Sequence, residues 1–425
     1  MNKTGRARIV VPKKLGVTGF LWCLYLGSAP VFWLPGFSAS TIQTSKHLLI
    51  YLAVGATAAV SIFKRSVHLP WGIAGLSGFG LILVLSIPAV FLSELSIGLS
   101  RIVDLLYAAT AFSSFFFLTR AGYDVEKILK ISAFIISGFA AYSLVGMFGS
   151  LSWRQPADLG FFDVSTAGFG GLRTGWSNGL SLYIAFSLAW VYSKDSLIKF
   201  NRSLLAITMA GTIFISQYMV GGRAGLLASL VSLVVLAHYL IPPANRVLVY
   251  VIFSAVVVAA AGQAVYEHLR IDRLVSNESL DVDTLDHFSA NRITTYRFAF
   301  KKISEKPLFG HGFGNANVVG GSEIHNVWLK HGAEAGLLFL AAELLFVLKF
   351  MLPFPRPKRI QSSYVVFSRQ ARLYAFCWAA LLSGLVISML EPRMLFGSFQ
   401  TSAIWWCAAG VLVAIQGKGH RAAFQ

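Results

Sequence analysis

The sequence predicts an all-α, polytopic membrane protein with about twelve transmembrane helices, built as a single integral membrane domain over 1–425. Hydrophobic residues make up 56% of the chain and charged residues only 13%, and the mean hydropathy is +0.66. The apolar residues form separate runs of roughly 18 to 22 residues, each long enough to cross about 30 Å of hydrocarbon as a helix. Because these runs are continuous and do not alternate with polar residues, they exclude a transmembrane β-barrel.

Each apolar run is interpreted as one membrane-spanning helix. The first run follows a cationic segment, and its length favours a membrane span over a cleaved signal peptide. The predicted spans are 15–34, 46–63, 71–92, 98–119, 128–149, 176–193, 203–218, 223–241, 246–264, 326–352, 370–390 and 399–416.

The distribution of lysine and arginine predicts the orientation of these spans. If Met1 lies in the cytoplasm, the short connections that fall on the cytoplasmic side carry most of the cations, as the positive-inside rule requires. An even number of spans then places both termini in the cytoplasm. The cations of these connections are Lys64, Arg65, Arg120, Lys127, Lys194, Lys199, Arg202, Arg246, Arg356, Lys358, Arg359 and Arg369.

Charge and cysteine content also bound the function. The formal net charge of +18 is explained by membrane orientation, so no nucleic acid partner is predicted. Cys23, Cys377 and Cys407 all lie inside apolar runs, where cysteine behaves as a small hydrophobic residue. Their positions indicate neither a disulfide framework nor a zinc site.

Two long loops are predicted on the outer face. The first, at 150–175, contains Arg154 and Arg173, and the second, at 265–325, lies between the ninth and tenth helices. Because the second loop is too long for a bare connector, it is expected to contain short helices.

Within the second loop, Asn291–Ile303 has the pattern of an amphipathic helix. The apolar face is predicted to consist of Ile293, Tyr296, Phe300 and Ile303. The same segment carries two arginines, Arg292 and Arg297, either of which is a candidate to hold an anionic group.

Four segments carry the distinctive motifs of the chain: Gly221-Gly-Arg-Ala-Gly225, 290–303, Pro307-Leu-Phe-Gly-His-Gly-Phe-Gly-Asn315 and 325–336. Together with the span pattern, they resemble the O-antigen ligase and polymerase family of bacterial envelopes. The family has a large periplasmic loop that ends in a His-Asn-x-x-Leu segment.

The ligase motif of that family is a His, then Asn, Ser or Gln, nine residues and a Gly, and His325, Asn326 and Gly336 satisfy it. Two positions depart from the family pattern. Phe339 stands where a further glycine is common, and Tyr296 stands where the family often has tryptophan.

The resemblance implies an enzyme of the bacterial inner membrane that transfers a glycan at the periplasmic face. The donor would be a glycan linked to undecaprenyl diphosphate, and the acceptor a hydroxyl of the lipid A-core oligosaccharide. Surrounding membrane lipids would be the other partners, and the family needs no cofactor, neither ATP nor a metal ion.

The resemblance assigns catalytic roles to His325, Arg223 and Arg292. Guanidinium groups suit the developing charge of a departing diphosphate, and an imidazole can accept the proton of an acceptor hydroxyl near neutral pH. The alternatives are that His325 anchors a helix at the membrane surface and that Arg223 reaches toward lipid phosphates. The candidate substrate-binding residues are Arg297, Asn326, Arg173, Arg154 and Arg101.

Two pairs of opposite charge lie near the outer ends of spans. Arg101 is three residues from Asp104, and Glu391 is two residues from Arg393. In each case a structural ion pair and a contact to substrate are both open interpretations.

Two further patterns are weaker. Asp281, Asp283, Asp286 and His287 resemble the Asp-x-Asp site of metal-dependent glycosyltransferases, but those enzymes use nucleotide sugars, which are absent from the outer face. Gly310–Gly314 is rich in glycine, yet no strand precedes it, so a tight loop is favoured over a nucleotide cradle.

Three functions therefore remain in competition. A ligase is favoured over a polymerase because the Arg-x10-Gly pattern of polymerases is missing from the outer arginines. A transporter of lipid-linked oligosaccharide is disfavoured because most charges lie at helix ends or in loops, whereas transporters place polar groups deep in several spans.

Overall fold

The computed structural model of the chain describes twelve stretches of the sequence, and within them it confirms the all-α class because no strand occurs there. The described residues are 16–31, 39–63, 70–150, 173–192, 201–219, 223–241, 245–247, 250–251, 292–316, 323–351, 369–392 and 395–422.

The described α-helices follow the predicted apolar runs, except the helix Arg292–Glu305, which lies in the predicted loop 265–325. They are α1 (Val17–Ser28), α2 (Ala39–Phe63), α3 (Pro70–Phe91), α4 (Leu95–Arg120), α5 (Val125–Ser150), α6 (Arg173–Ser181), α7 (Ile184–Leu188), α8 (Arg202–Met219), α9 (Arg223–Leu240), α10 (Arg292–Glu305), α11 (Val327–Met351), α12 (Arg369–Leu390) and α13 (Phe399–Ala422). Two short 3-10 helices, Ala189–Tyr192 and Leu395–Gly397, complete the described part.

Several of these helices are suited to cross a membrane. Among the described residues, four stretches are long and apolar enough by themselves: Leu95–Arg120, Val125–Val145, Val327–Lys349 and Arg372–Leu390. Shorter apolar helices accompany them, so the chain is a multi-pass membrane protein. The count of twelve stays a prediction, and most of the predicted span 246–264 and of the loop 265–325 lies outside the described residues.

The sixth predicted span is not one continuous helix. Over 176–193 the chain forms α6, then a turn, then α7 and the 3-10 helix that follows it. A helix that breaks inside a membrane leaves backbone groups without partners, and other helices must supply them. Here the side-chain amide of Gln217 donates to the backbone carbonyl of Ser177 at 2.8 Å. The side chain of Tyr183, at the break, donates its hydroxyl to the carbonyl of Leu26 at 2.5 Å and so ties the break to α1.

The core is one continuous cluster of buried aromatic and small residues, with α13 packed against α4 and α12. Small residues let these helices approach closely, as is usual between membrane helices. A Cβ at Gly410 would overlap the carbonyl oxygen of Phe112, and a Cβ at Gly384 would overlap the indole of Trp405. Tight packing of this kind fixes the helix ends that carry polar groups.

The helix bundle has two distinguishable ends. At one, which we call the site end, α3 and α12 end and α11 begins, and the side-chain amide of Asn315 donates to the carbonyl of Leu92 at 2.7 Å. At the other, the opposite end, Arg369 at the start of α12 contacts Asp124 and Glu126 next to α5. The connection after α4 and the start of α12, both predicted on the cytoplasmic face, are therefore in contact.

Candidate functional site

The helix α10 forms as the amphipathic pattern predicts, but its buried face differs from the prediction. Thr295 and Ala299 are the buried residues, whereas Phe300 is 60% exposed. Ala299 packs in a small cluster with Ile324 and Ala333. Because small side chains allow α10 to lie close to the start of α11, the contact uses Ala299 in place of the larger Phe300.

The segment before α11 is fixed by Asn326. Its side-chain carbonyl accepts hydrogen bonds from the backbone N–H groups of Trp328 at 2.9 Å and Leu329 at 3.0 Å, which is the geometry of a helix N-cap. Its amide donates to the carbonyl of Met389 at 3.1 Å. Asn326 therefore ties the start of α11 to the end of α12.

Tyr296 adds a third connection at the same place. Its hydroxyl donates to the carbonyl of His325 at 3.0 Å, and the carbonyl of Met389 lies 3.4 Å away. Three elements, α10, the start of α11 and the end of α12, are thus held together around the backbone of His325. The tyrosine that replaces the family's tryptophan supplies a hydroxyl that an indole does not have.

Glu391 lies between the two predicted catalytic residues that can be located. One carboxylate oxygen is 3.6 Å from Nη2 of Arg292, and the other is 3.8 Å from Nδ1 of His325. The carboxylate is only 8% exposed, while the side chains of Arg292 and His325 are 31% and 33% exposed. The acid is therefore enclosed, and the two basic groups face outward from it.

The spacing within this triad of Arg292, His325 and Glu391 is wider than a hydrogen bond. Charged groups that pair for structural reasons usually approach to 2.7–2.9 Å. Nδ1 of His325 is buried and makes no hydrogen bond to any described residue. The two contacts of Glu391 can thus shorten by about 0.7–1 Å before they reach hydrogen-bond length.

The glycine of the family motif marks a break in α11. Gly336 has φ +87°, and a Cβ there would overlap the carbonyl oxygen of Leu308. The backbone N–H of Leu337 donates to the carbonyl of Pro307 at 2.7 Å, so the incoming loop satisfies the broken turn. The first part of α11, 327–335, is consequently a separate half-helix that carries His325 at its start.

The glycine-rich loop docks on this half-helix. The N–H of Gly312 donates to the carbonyl of Glu334 at 2.8 Å, and the N–H of Gly314 donates to the Glu334 carboxylate at 3.0 Å. Gly310, Gly312 and Gly314 all have positive φ, a conformation that glycine adopts without strain. This agrees with the tight loop that the sequence favours for Gly310–Gly314.

The interior of α11 is an exception to the expectation that most charges lie at helix ends or in loops. His331, Glu334 and Glu343 are all buried, and Nδ1 of His331 lies 2.9 Å from a Glu343 carboxylate oxygen. The two residues are twelve positions apart and bond across the break at Gly336. Arg101 of α4 interacts electrostatically with all three side chains.

The other predicted residues divide into three groups. Arg297 is exposed on α10, and Arg101 is half-buried within electrostatic reach of Asp104 as well as of α11. Arg173 and Arg223 begin α6 and α9, but their side chains lie outside the described part of the structure. The residues that lie wholly outside it are Arg154, Asp281, Asp283, Asp286, His287 and Arg393.

The glycine motif at 221–225 has a packing role that the structure makes visible. A Cβ at Gly225 would lie 2.6 Å from the carbonyl oxygen of Ser177, so the start of α9 approaches the backbone of α6 directly. Arg223 begins the helix that this contact positions.

Sequence reasoning did not single out His331, Glu334 and Glu343, and it left Glu391 with two open interpretations. A signal for the first three was present. Two acids and a histidine inside one apolar run are expensive in a membrane, and such residues are usually paired or functional. The position of Glu391 beside His325 depends on long-range packing that no local pattern reveals.

Comparison with known proteins agrees with the motifs. Residues 204–342 match the family model described as O-antigen ligase, and no curated protein matches the chain. The matched segment includes Arg223, Arg292, His325 and the helix break at Gly336. Over this segment, about a third of its length, the chain is therefore similar to the O-antigen ligase family.

Proposed function

We propose that this protein is an O-antigen ligase that moves a glycan from undecaprenyl diphosphate to the lipid A-core oligosaccharide. The observation that carries the proposal is the triad in which Glu391 lies between Arg292 and His325. The family match supports a membrane glycosyltransferase in general, and the choice of donor and acceptor is our inference.

The reaction joins an acceptor oxygen to the anomeric carbon of the donor sugar. As the acceptor hydroxyl attacks, the bond from that carbon to the diphosphate oxygen breaks, and undecaprenyl diphosphate leaves with the electron pair. The hydroxyl proton passes to His325. Because Nδ1 of His325 faces Glu391, we assign the proton to Nε2.

Glu391 supports this proton transfer as a positioning residue. A carboxylate beside an imidazole favours the tautomer with hydrogen on the facing nitrogen and stabilises the imidazolium that forms. The carboxylate is largely excluded from solvent, which strengthens the interaction. No metal ion is required for this step, since the base and the cation come from the chain.

The arginines neutralise the leaving diphosphate. Arg292 is held by Glu391 at 3.6 Å, yet part of its guanidinium is exposed and can turn to phosphate oxygens. By family resemblance, Arg223 has the same role. Arg223 also begins α9, and the positive end of the helix dipole favours anions there. Arg101, Arg154, Arg173 and Arg297 are proposed to contact the sugars, and Asn326 to hold the half-helix.

The proposal includes an orientation. The site end faces the periplasm, both termini lie in the cytoplasm, and the membrane is the bacterial inner membrane. The distribution of lysine and arginine in the short connections supports this arrangement. The loop 265–325 would then lie on the periplasmic side.

A complementation experiment tests the proposal. His325→Ala and Arg223→Ala are expressed in cells that lack the native gene, and lipopolysaccharide is separated on a gel. We expect the ladder to disappear while lipid-linked polymer accumulates. A core that carries a single repeat unit would instead assign polymerase activity.

The matched control is His238→Ala. His238 is an exposed histidine at the end of α9, where its Nδ1 lies 3.0 Å from the Tyr250 hydroxyl. It should leave the ladder unchanged at equal expression. A normal ladder from well-expressed His325→Ala and Arg223→Ala would remove the proposed mechanism.

A further inference from the structure

A cavity of about 200 Å³ lies between α1, α2, α4 and the start of α13, apart from the triad. Its wall is unusually polar for a space between membrane helices. The polar side chains that line it are Gln43, Lys46, His47, Ser100, Asp104 and Tyr107.

A chain of hydrogen bonds holds one side of the cavity in place. The Gln43 amide nitrogen lies 3.2 Å from Nε2 of His47, and Nδ1 of His47 lies 2.8 Å from the Tyr107 hydroxyl. That hydroxyl donates to the hydroxyl of Tyr51 at 2.7 Å. Polar groups fixed in this way are preorganised to bind a ligand that has several hydroxyl groups.

Two charged side chains, Lys46 and Asp104, line the cavity. Lys46 is only 3% exposed, and its ammonium donates to the carbonyl of Ala29 at 2.9 Å. The Asp104 carboxylate accepts a hydrogen bond from the backbone of Phe399. Because Lys46 is engaged by the Ala29 carbonyl, and Asp104 by the Phe399 backbone and by Arg101, the cavity favours a neutral ligand with hydroxyl groups.

Aromatic rings complete the wall. The ring centroids of Tyr107 and Phe399 are 5.5 Å apart, and Phe399 stacks on Tyr25 at 6.1 Å. A ring face beside carboxylate, amide and hydroxyl groups suits a sugar, which has apolar C–H faces and a polar rim. The cavity is smaller than the roughly 300–1,000 Å³ of pockets for drug-sized ligands, so it fits about one monosaccharide.

The flanks of the cavity are apolar and exposed. Leu48 is 58% exposed and Tyr51 60% on α2, and Val103 is 40% exposed on α4. Side chains of this kind on a membrane protein face lipid chains. An occupant that enters from this side carries an apolar portion along with its polar head.

We propose that this cavity binds one sugar unit of a membrane-embedded glycolipid. The assignment goes beyond the transfer site, since none of its lining residues belongs to the triad. Gln43 and Asp104 bond the sugar hydroxyls, Phe399 packs on the sugar face, and the lipid chains lie along Leu48 and Val103.

The test uses the full chain in nanodiscs that contain monoglucosyl diacylglycerol. Retained lipid is counted by native mass spectrometry as its concentration is raised. Wild type should retain one molecule with saturation, and Gln43→Leu and Asp104→Asn should each weaken retention by about tenfold, the effect of losing one good hydrogen bond in an enclosed site. The control Ser45→Ala changes an exposed residue of the same helix that is not part of the lining and should bind as wild type.

Two comparisons make the result decisive. Phosphatidylglycerol should compete poorly, and free methyl glucoside should bind at least tenfold more weakly than the glycolipid because it has no lipid chains. Unchanged retention in both Gln43→Leu and Asp104→Asn would overturn the proposal. Equal retention of phosphatidylglycerol would overturn it as well, by making the cavity a phospholipid site. His325→Ala should leave retention intact, so failure of the transfer proposal and failure of this one are distinguishable.

Discussion

Both ends of the bundle bring carboxylates and basic side chains together, but the distances differ. At the opposite end, Nε of Arg369 donates to Glu126 at 3.0 Å, and Asp124 is in direct contact with the same guanidinium. At the site end, Glu391 stands 3.6 Å from Arg292 and 3.8 Å from His325. Arg369 is hydrogen-bonded to its carboxylate partners, whereas the two contacts of Glu391 are longer than hydrogen bonds.

The difference indicates two uses of the same chemistry. Closed ion pairs satisfy each other and fix helix ends, so they serve the fold. At the site end the enclosed carboxylate of Glu391 lies at longer range from Arg292 and His325, so it holds them in position without a short ion pair. Variants of Arg292 and His325 should therefore lower transfer with little loss of stability, and variants of the Arg369 cluster should do the reverse.

Arg292→Ala is expected to give the largest effect. Without the guanidinium the departing diphosphate loses its fixed positive charge, and the transfer rate should fall by about a hundredfold or more. The thermal unfolding midpoint should change little. Transfer by purified, reconstituted protein measures the rate, and Lys301→Ala, an exposed cation on the same helix, is the control. An Arg292→Ala protein that loses both transfer and thermal stability would contradict the difference between the two ends.

Gly336→Ala comes next. An alanine at φ +87° is strained, and its Cβ overlaps the carbonyl oxygen of Leu308, so the half-helix that carries His325 must shift. We expect a loss of about 2–3 kcal/mol in unfolding free energy and about tenfold in transfer. Gly211→Ala in α8, where a Cβ meets nothing within 4 Å, should change neither quantity. Wild-type transfer from Gly336→Ala would show that the break does not position His325.

Glu126→Gln tests the opposite end. It weakens the contact to Arg369 and leaves the buried ammonium of Lys130, now 3.7 Å from Glu126, without its neighbouring charge. Because Arg369 is 37% exposed, the expected cost is moderate, about 2 kcal/mol. Unfolding followed by tryptophan fluorescence measures it. Transfer per folded molecule should stay at the wild-type level, and a tenfold loss would contradict a purely structural role.

Glu305→Gln should give the smallest effect. A hydrogen bond from Lys302 lowers the pKa of the Glu305 carboxyl below its ordinary value, but the group is fully exposed. Since the folded-state pKa is lowered, the stabilisation is present above the ordinary glutamate range and is lost as the pH falls through the lowered pKa. Melting curves at pH 7 and pH 4 should nearly coincide for wild type and variant. A drop as large as that of Glu126→Gln would be unexpected for a solvated pair.

Much of the fold could be predicted because hydrophobic length is a local property. The runs at 98–119 and 370–390 correspond to α4 and α12. The sixth span was predicted as one helix because the break at Leu182 and Tyr183 depends on partners far along the chain, such as Gln217 and Leu26. Apolar composition alone does not predict those partners.

The site residues stay a prediction. The family motif selected His325 and Arg292, and the structure places both beside one carboxylate. Glu391 lies 66 positions from His325, and the pairing of His331 with Glu343 spans a helix break, so neither contact has a periodic signature. Phe300 was placed on the apolar face of α10 by its spacing, but spacing does not show which residues are buried, and the structure buries Ala299 and leaves Phe300 exposed.

The most direct test of the account is transfer by His325→Ala in reconstituted membranes, with and without added imidazole. We expect a rate below about 1% of wild type, since a positioned base contributes about a hundredfold or more. We also expect the rate to recover in part when imidazole fills the space beside Glu391. A near wild-type rate from well-folded His325→Ala without imidazole would contradict it.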